Sequence, residues 1–167
     1  ETGEGTLTVH SVPVKYVDQA GEYQFIDTSM KALTATERAE SGFAYRNSAN
    51  SFTLEFGNTA SKGINFNNAF TFEANSNTAG SEIGQIQMEE GHGKIVYPHV
   101  FASGTRVEYI NTESGLKENI ILDQYTGQNR FDFTFRSDTH IPVLTENGTN
   151  ILVTDKDDPE KVDYRFL

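Results

Sequence analysis

The chain has 167 residues and no cysteine, and its 24 acidic and 13 basic side chains give a formal net charge of −11. A surface this acidic repels phosphate backbones, so we predict no nucleic-acid partner. The absence of cysteine excludes disulfides, thiolate zinc sites and cysteine nucleophiles. No apolar run approaches the roughly 20 residues that a membrane-spanning helix needs, so we predict no membrane insertion.

Short segments with a two-residue hydrophobic period recur along the chain. Phe52, Leu54 and Phe56, for example, would share one face of a strand. The predicted strands, in chain order, are residues 6–10, 12–17, 22–27, 43–47, 52–56, 70–73, 82–88, 94–97, 106–110, 116–123, 130–135, 141–144, 151–154 and 162–166. Residues 31–40 have too few apolar positions for a buried helix, so we predict a loop there that could include one helical turn. We predict an all-β, antiparallel β-sandwich-like domain of many short strands, with little or no helix.

The length of the chain fits one domain. We interpret residues 1–3 as a remnant of an expression vector, left where an export signal was removed. Residues 4–167 would form a single β-sandwich-like domain, in which a sub-boundary could fall near residues 90–104. A removed export signal would fit a secreted protein.

Residues 107–122 predict a β-hairpin. Val107 and Tyr109 alternate with polar neighbours, turn-forming residues follow, and Leu116 and Ile120 return on one face. Glu118 would point to the same face as Leu116 and Ile120. Such a carboxylate either contacts a neighbouring domain or forms an internal ion pair that fixes the hairpin register, and we favour the ion pair. Its cationic partner would be Arg106, Arg130 or Arg136.

Two sets of side chains could bind a metal ion. His92 and His99 flank a predicted strand but lack a close third ligand, and His10 and His140 lie far from them in sequence. Hydrogen-bonding roles are therefore the favoured interpretation for the histidines. The acidic run near the end of the chain could chelate calcium. Because it lacks the glycine and the distal glutamate of an EF-hand loop, we favour a solvated turn and keep calcium as the alternative. The candidate calcium ligands are Asp155, Asp157 and Asp158.

No catalytic constellation emerges from the sequence. Ser103 and Ser114 each precede a glycine but offer no nucleophile elbow, and glycine motifs that bind phosphates or dinucleotides do not occur. Paired carboxylates for glycoside cleavage stay open as an alternative, although the chain has no tryptophan to form a sugar platform. We predict no enzyme activity, no catalytic residue and no cofactor. Asn147 begins a glycosylation sequon, which we interpret as turn chemistry.

Five ordered segments carry a resemblance to a known family. The hairpin of residues 107–122 has a tyrosine-containing strand, a short turn and then Gly-Leu-Lys-Glu-Asn-Ile-Ile-Leu. It resembles a segment from the N-terminal β-rich regions of large secreted bacterial wall-associated proteins, the YD-repeat (RHS-type) proteins. Residues 9–27 resemble the opening of those regions, with Tyr23 where a tryptophan is frequent. Segments similar to the rest of the family pattern follow in order at residues 45–52, 96–101 and 131–155.

The resemblance implies a non-catalytic structural or interaction module, secreted or at the cell surface (cell wall), that lies N-terminal to a YD-repeat shell. Its partners would be other domains of the same polypeptide, reached through an exposed apolar patch near Tyr164, Phe166 and Leu167. The alternative is a carbohydrate- or cell-wall-binding module with a surface glycan as its partner, and polysaccharide hydrolysis is a third hypothesis. The tyrosines that could contact a glycan are Tyr16, Tyr23, Tyr45, Tyr97 and Tyr125.

Overall fold

The computed structural model describes residues 10–75, 83–125 and 127–166 of the chain. Within these residues the protein consists of antiparallel sheets with one short helix, which confirms the predicted all-β fold class. The helix, α1, is Ala35–Ser41. The strands are β1 Lys15–Val17, β2 Tyr23–Phe25, β3 Asp27–Ala32, β4 Tyr45–Ala49, β5 Leu54–Phe56, β6 Ile64–Phe66, β7 Phe70–Ala74, β8 Gln85–Glu89, β9 His92–Tyr97, β10 Thr105–Asn111, β11 Leu116–Leu122, β12 Phe133–Arg136, β13 His140–Leu144, β14 Ile151–Asp155 and β15 Val162–Phe166.

The described strands form four antiparallel sheets. A six-stranded sheet has the order β12-β7-β6-β5-β4-β3, and a four-stranded sheet has the order β11-β10-β9-β8. The other two are a three-stranded sheet, β13-β14-β15, and a two-stranded ribbon, β1-β2. Residues 90–104, where a sub-boundary could fall, include β9, which pairs with both β8 and β10.

One face of the six-stranded sheet is apolar and rich in aromatic rings, and we call it the inner face. Phe56 pairs with Ile64 across β5 and β6, and Ile64 pairs with Phe72 across β6 and β7. Because directly paired residues of antiparallel strands point to the same side, these side chains share one face. Leu54 and Phe56 on this face are 0% exposed. The alternate residues, such as Glu55, point to the opposite face.

The four-stranded sheet covers part of the inner face and so forms a sandwich. Tyr97 on β9 and Tyr109 on β10 are buried in the cluster that joins the two sheets. The Tyr97 hydroxyl donates a hydrogen bond to the carbonyl of Gly57 at 2.7 Å. The backbones of β9 and β3 approach so closely that a Cβ atom on Gly93 would lie 2.6 Å from the carbonyl oxygen of Thr28. The contact between the two sheets therefore requires a glycine at this position.

The three-stranded sheet covers another part of the inner face. The Tyr164 ring lies 5.0 Å from Phe66 and 5.2 Å from Phe70, measured between centroids. The Phe166 ring lies 5.6 Å from Phe72. The same apolar face therefore packs against two separate sheets, and the space between those sheets lies over it.

Two strands and one helix were not predicted. The sequence of β3 is mostly polar (Asp-Thr-Ser-Met-Lys-Ala), and β6 is only 3 residues long. The prediction of a loop at residues 31–40 is wrong, because α1 occupies much of that segment. A capping box between Thr34 and Glu37 begins the helix, and Gly42 ends it in a left-handed conformation. None of its residues is buried, which explains why no apolar stripe marks it.

The other predicted strands are present with shifted ends. Residues 12–17, for example, contain the shorter strand β1. The predicted strand at residues 6–10 falls almost entirely outside the described residues, as do residues 1–3. In the part of the chain that the structure describes, no helix is long and apolar enough to cross a membrane.

Candidate functional site

An open cleft of about 930 Å³ lies between the inner face, the β10–β11 hairpin and β15. We call it the aromatic cleft. Its volume is in the range of pockets that bind small organic molecules, roughly 300–1,000 Å³. The rings that line it are Phe52, Phe66, Phe70, Phe72, Tyr164 and Phe166.

Contacts between rings hold the walls of the aromatic cleft in place. Phe66 stacks on Phe70 with 5.5 Å between centroids, and the Tyr164 ring lies edge-on to both. Stacked and edge-to-face pairs at these distances are favoured geometries of aromatic rings. The Asn67 side chain also donates a hydrogen bond to the Tyr164 hydroxyl at 3.2 Å. The apolar walls are therefore formed without a ligand.

Glu118 lines the aromatic cleft from β11. It is paired across the hairpin with Tyr109 and lies on the same side of its strand as Leu116 and Ile120, as predicted. Glu118 as a whole residue is exposed to solvent. Protein atoms nevertheless surround much of the carboxyl group, and this desolvation raises its pKa to about 7, while a side-chain hydrogen bond with Tyr109 acts to lower the pKa. Burial, and then the Glu118 charge, raises the pKa of Tyr109 well above its usual value.

The predicted ion pair between Glu118 and an arginine is wrong. Arg106 is next to Val107, whose side chain points into the core. The alternation of β10 therefore directs the Arg106 side chain to the side of the four-stranded sheet that faces away from the core. All three candidate arginines pair with other carboxylates: Arg106 with Glu108 and Asp123, Arg130 with Asp132, and Arg136 with Glu73. In the described structure the polar neighbour of Glu118 is instead the Tyr109 hydroxyl.

We expect Glu118→Gln to raise the stability of the protein at alkaline pH. The pKa of Glu118 in the folded protein, about 7, lies above its ordinary value of 4.5. The folded state therefore binds a proton that the unfolded chain releases between these values, and wild-type stability falls as pH rises through this window. Glutamine removes the charge and keeps the shape. In urea denaturation, the variant should have a higher midpoint than wild type at pH 8 and nearly the same midpoint at pH 4.5.

Glu146→Gln is the matched control for this comparison, because Glu146 lies exposed in the turn between β13 and β14. It should leave the urea midpoint unchanged at both pH values. A gain of equal size for Glu146→Gln, or a gain for Glu118→Gln that does not depend on pH, would show that Glu118 is not desolvated in the folded protein.

A second groove, of about 540 Å³, lies between the β1–β2 ribbon and the loops that follow β4 and β6. We call it the polar groove. Its polar and aromatic lining includes Tyr16, Asp18, Gln19, Asn50, Asn67 and Asn68. Side-chain amides both donate and accept hydrogen bonds, and a tyrosine ring adds an apolar surface with a polar end. This combination suits a ligand with many hydroxyl groups.

The five tyrosines considered for glycan contact do not share one surface. The prediction that Tyr97 could contact a glycan is wrong, because this residue is only 1% exposed and its hydroxyl donates a hydrogen bond inside the core. Tyr45 is half-buried, and its hydroxyl donates to a backbone carbonyl at 2.7 Å. Tyr23 and Tyr125 are 74% and 77% exposed. Tyr16 lines the polar groove, and its position in the ribbon places it on the opposite face from Tyr23.

The histidines proposed as metal ligands are separated. His92 begins β9 and His99 lies beyond its end, so the length of the strand puts roughly 20 Å between them. The Nε2 atom of His92 lies 3.2 Å from Glu113, and that of His140 lies 3.2 Å from an aspartate. His10 is exposed. Among the described residues, no three His, Cys, Asp or Glu side chains are grouped so that they could hold a metal ion.

The acidic run forms the turn between β14 and β15. Asp155 accepts a hydrogen bond from the backbone N–H of Asp157 at 2.8 Å, and this bond is the main reason that the pKa of Asp155 is lowered. Asp157 and Asp158 are exposed. Asn147 has a similar role in the turn between β13 and β14, where its side-chain oxygen accepts hydrogen bonds from the backbone N–H and hydroxyl of Thr149.

Two small sheets present apolar side chains to solvent. Val17, Tyr23 and Phe25 share one side of the ribbon, which we call the ribbon face, and are 54%, 74% and 70% exposed. We call the side of the three-stranded sheet that points away from Tyr164 and Phe166 the outer face. It carries three apolar side chains that are 37–43% exposed: Ile141, Val143 and Val162. The predicted apolar patch thus lies on the other side of this sheet from Tyr164 and Phe166, and Leu167 falls outside the described residues.

The sequence analysis did not predict the aromatic cleft. The sequence does contain a signal for the walls of the cleft. Aromatic residues stand at every second position in β7 (Phe70, Phe72) and in β15 (Tyr164, Phe166), which indicates one apolar side for each strand. That alternation does not say which two strands will face each other, or that a gap will separate them.

Comparison with known proteins gave no match to a family model, to a curated protein or to a solved structure. The resemblance to YD-repeat proteins therefore stays a prediction from the sequence.

Proposed function

We propose that this chain is a non-catalytic interaction module of a large secreted or cell-surface bacterial protein, and that it docks on other domains of the same polypeptide. The observation that carries this proposal is the pair of exposed apolar surfaces, the ribbon face and the outer face. Tyr23 and Phe25 lie close together on the ribbon face with at least 70% of each side chain exposed. The Lys15 ammonium lies on the same side, 4.5 Å from the centroid of the Phe25 ring. Large apolar side chains exposed together in this way are typical of sites that bind another protein surface.

The outer face supports the same function from a second position. An antiparallel sheet that packs one side on a core usually has polar residues on the other side. Here the outer face carries Ile141, Val143 and Val162 in addition to Arg165. Covering apolar area on such a face stabilises a complex by about 25 cal/mol for each Å² removed from water. A neighbouring domain with an apolar surface would therefore gain stability by packing there.

The sequence supports the placement of the module. The ordered segments between residues 9 and 155 resemble the N-terminal regions of wall-associated YD-repeat proteins, so we place the module N-terminal to a YD-repeat shell in a secreted polypeptide. Its net charge of −11 would disfavour binding to anionic polymers. Docking by apolar contact does not depend on that charge.

Photocrosslinking in the full-length polypeptide tests the docking proposal. A photoreactive residue at position 143 should crosslink to a segment of the same polypeptide outside residues 10–166, identified by mass spectrometry. A mixture of isotopically light and heavy protein separates crosslinks within one chain from those between chains. The same photoreactive residue at position 146, in an exposed turn, is the control. Equal yields at the two positions, or crosslinks only between different chains, would refute docking within the polypeptide.

Glycan binding is the second candidate function, and the polar groove is the observation that favours it. Tyr16 lines this groove together with Gln19 and Asn68. The test is co-sedimentation with washed bacterial cell walls and insoluble polysaccharides, with and without calcium. Saturable retention that free sugar competes away, and that Tyr16→Ala removes while Tyr125→Ala keeps, would support this function. Tyr125 suits the control because it is exposed and is not among the residues that line the groove.

A further inference from the structure

We propose that the aromatic cleft binds a small organic ammonium ion with an apolar body, and that the Glu118 carboxylate contacts the ammonium group. The aromatic cleft is separate from the ribbon face and the outer face, so this inference does not depend on the docking proposal. It rests on three observations: the pairing of the charged groups around the cleft, the chemistry of its walls and its size.

The charged residues around the aromatic cleft leave the Glu118 carboxylate available for a cation. Lys117 contributes atoms to the lining of the cleft, but the alternation of β11 directs its side chain to the other side of the sheet, where its charge acts on Glu89. Arg165 also contributes atoms to the lining, but its pairing with Leu152 directs its side chain to the outer face. Asp163 already pairs with a histidine and a lysine. In the described structure Glu118 has a hydroxyl as its polar neighbour, and a carboxylate partly removed from water gains more from a cation than from a hydroxyl.

The walls of the cleft favour the same ligand. Rings carry negative charge density on their faces, and a cation positioned over such a face within about 6 Å of the centroid is attracted to it. Phe66, Phe70 and Tyr164 provide a continuous wall that can also take up an apolar ligand body. A carboxylate combined with aromatic walls attracts cations and repels anions. A neutral apolar molecule would gain from the walls alone.

The size and openness of the cleft suit a small molecule. A space of about 930 Å³ is large enough for a ligand with one ring and a short chain. The cleft is open on one side, so a ligand can enter without unfolding of a strand. Its rings already contact one another, so little side-chain ordering is needed on binding.

Binding should strengthen as Glu118 loses its proton. The titratable or charged residues with atoms in the lining are Tyr109 on β10, Lys117 on β11, and Asp163, Tyr164 and Arg165 on β15. The side chains of Lys117 and Arg165 are directed away from Glu118 by strand alternation. The residues contributed from β5 to β7 and their loops, among them Ile64 and Asn67, do not titrate. The pKa of Glu118 is about 7, so the carboxyl group is mostly protonated at pH 5.5 and mostly ionised at pH 8.5. A primary ammonium group, with a pKa of about 10, keeps its charge at both values.

The test uses 2-phenylethylammonium as the probe, with 2-phenylethanol as its neutral analogue and 3-phenylpropanoate as an anionic one. Isothermal titration calorimetry of the whole chain gives the dissociation constants at pH 8.5 and pH 5.5. We expect saturable binding of the ammonium probe at pH 8.5. Because a hydrogen bond to a charged group is stronger than one between neutral groups, binding should be at least roughly tenfold weaker for Glu118→Gln, for the alcohol and for wild type at pH 5.5. The anion should not bind measurably.

Methyl NMR shows where the probe binds. The methyl signals of Ile64 and Leu116, which line the cleft, should shift on addition of the ammonium probe, whereas those of Val143 on the outer face should not. Glu146→Gln should bind the probe like wild type. Equal affinity for the alcohol and the ammonium ion, binding by Glu118→Gln that matches wild type, or an absence of saturable binding would each overturn the proposal. If a variant folds poorly, the affinity of the wild-type protein for the ammonium probe at pH 8.5 and pH 5.5 still tests the role of Glu118.

Discussion

Replacing Phe56 with alanine is expected to lower the free energy of unfolding by about 3–5 kcal/mol. Phe56 is 0% exposed, and its ring centroid lies 6.1 Å from that of Tyr109 on the facing sheet. Alanine would remove the ring and leave a cavity between the two sheets, where the backbones cannot close the gap. Because small domains have a total stability of about 5–15 kcal/mol, this loss would bring the protein close to unfolding at room temperature. Urea denaturation followed by circular dichroism measures the change.

Phe25→Ala is the matched control, since the same residue type is 70% exposed on the ribbon face. Its unfolding free energy should fall by no more than about 1 kcal/mol, because the exposed ring loses only its contact with the Lys15 ammonium, 4.5 Å from the ring centroid. If Phe56→Ala were as mild as Phe25→Ala, the six-stranded and four-stranded sheets would not share a core, and the sandwich described here would be incorrect.

Gly93→Ala is expected to destabilise the sandwich by about 1–3 kcal/mol, although it adds only one methyl group. A Cβ atom at this position would lie 2.6 Å from the Thr28 carbonyl oxygen and 2.7 Å from the Met30 nitrogen. Both are backbone atoms of β3, so the clash can be relieved only by moving one sheet away from the other. Such movement would weaken the core contacts on both sides. The urea midpoint of the variant, compared with wild type, measures the cost.

Gly115 provides the control for this substitution. A Cβ atom there would meet nothing within 4 Å, and Gly115 is not among the described glycines with a positive φ angle. Gly115→Ala should therefore cause no loss of stability, and the lower entropy of the unfolded chain favours a small gain. A Gly93→Ala protein as stable as Gly115→Ala would mean that β3 and β9 are not in close contact.

The two-residue alternation of apolar residues made the strands predictable, because that period follows from the geometry of a strand alone. It also placed Glu118 on the same side of β11 as Leu116 and Ile120, which the register with β10 confirms. The strand β3 could not be predicted in this way, because its sequence is mostly polar. Its buried residues are buried by the close contact between the backbones of β3 and β9. The helix α1 was missed because it has a capping signal but no buried face.

The candidate site was harder to predict than the strands that form it. The contact between Phe66 and Tyr164 joins residues that are far apart in the chain, and nothing local to either residue specifies it. The arginine partner of Glu118 shows a different limit. Strand alternation alone could have excluded Arg106, which neighbours the inward-facing Val107. Excluding Arg130 and Arg136 required their tertiary partners to be known.

The way in which the three-stranded sheet is attached has a consequence for partial unfolding. Among the described strands, the backbone ladders of this sheet join β13, β14 and β15 to one another and to no other strand. The sheet meets the inner face through the side chains of Tyr164 and Phe166. The sheet can therefore detach as a unit with its own ladders intact, and such sub-global openings cost less than complete unfolding. Detachment would remove one wall of the aromatic cleft and leave the sandwich of the other two sheets standing. Ligand binding in the cleft and detachment of this sheet are therefore linked equilibria. A ligand that contacts both walls should slow the hydrogen exchange that detachment causes. Conditions that favour detachment should in turn weaken ligand binding.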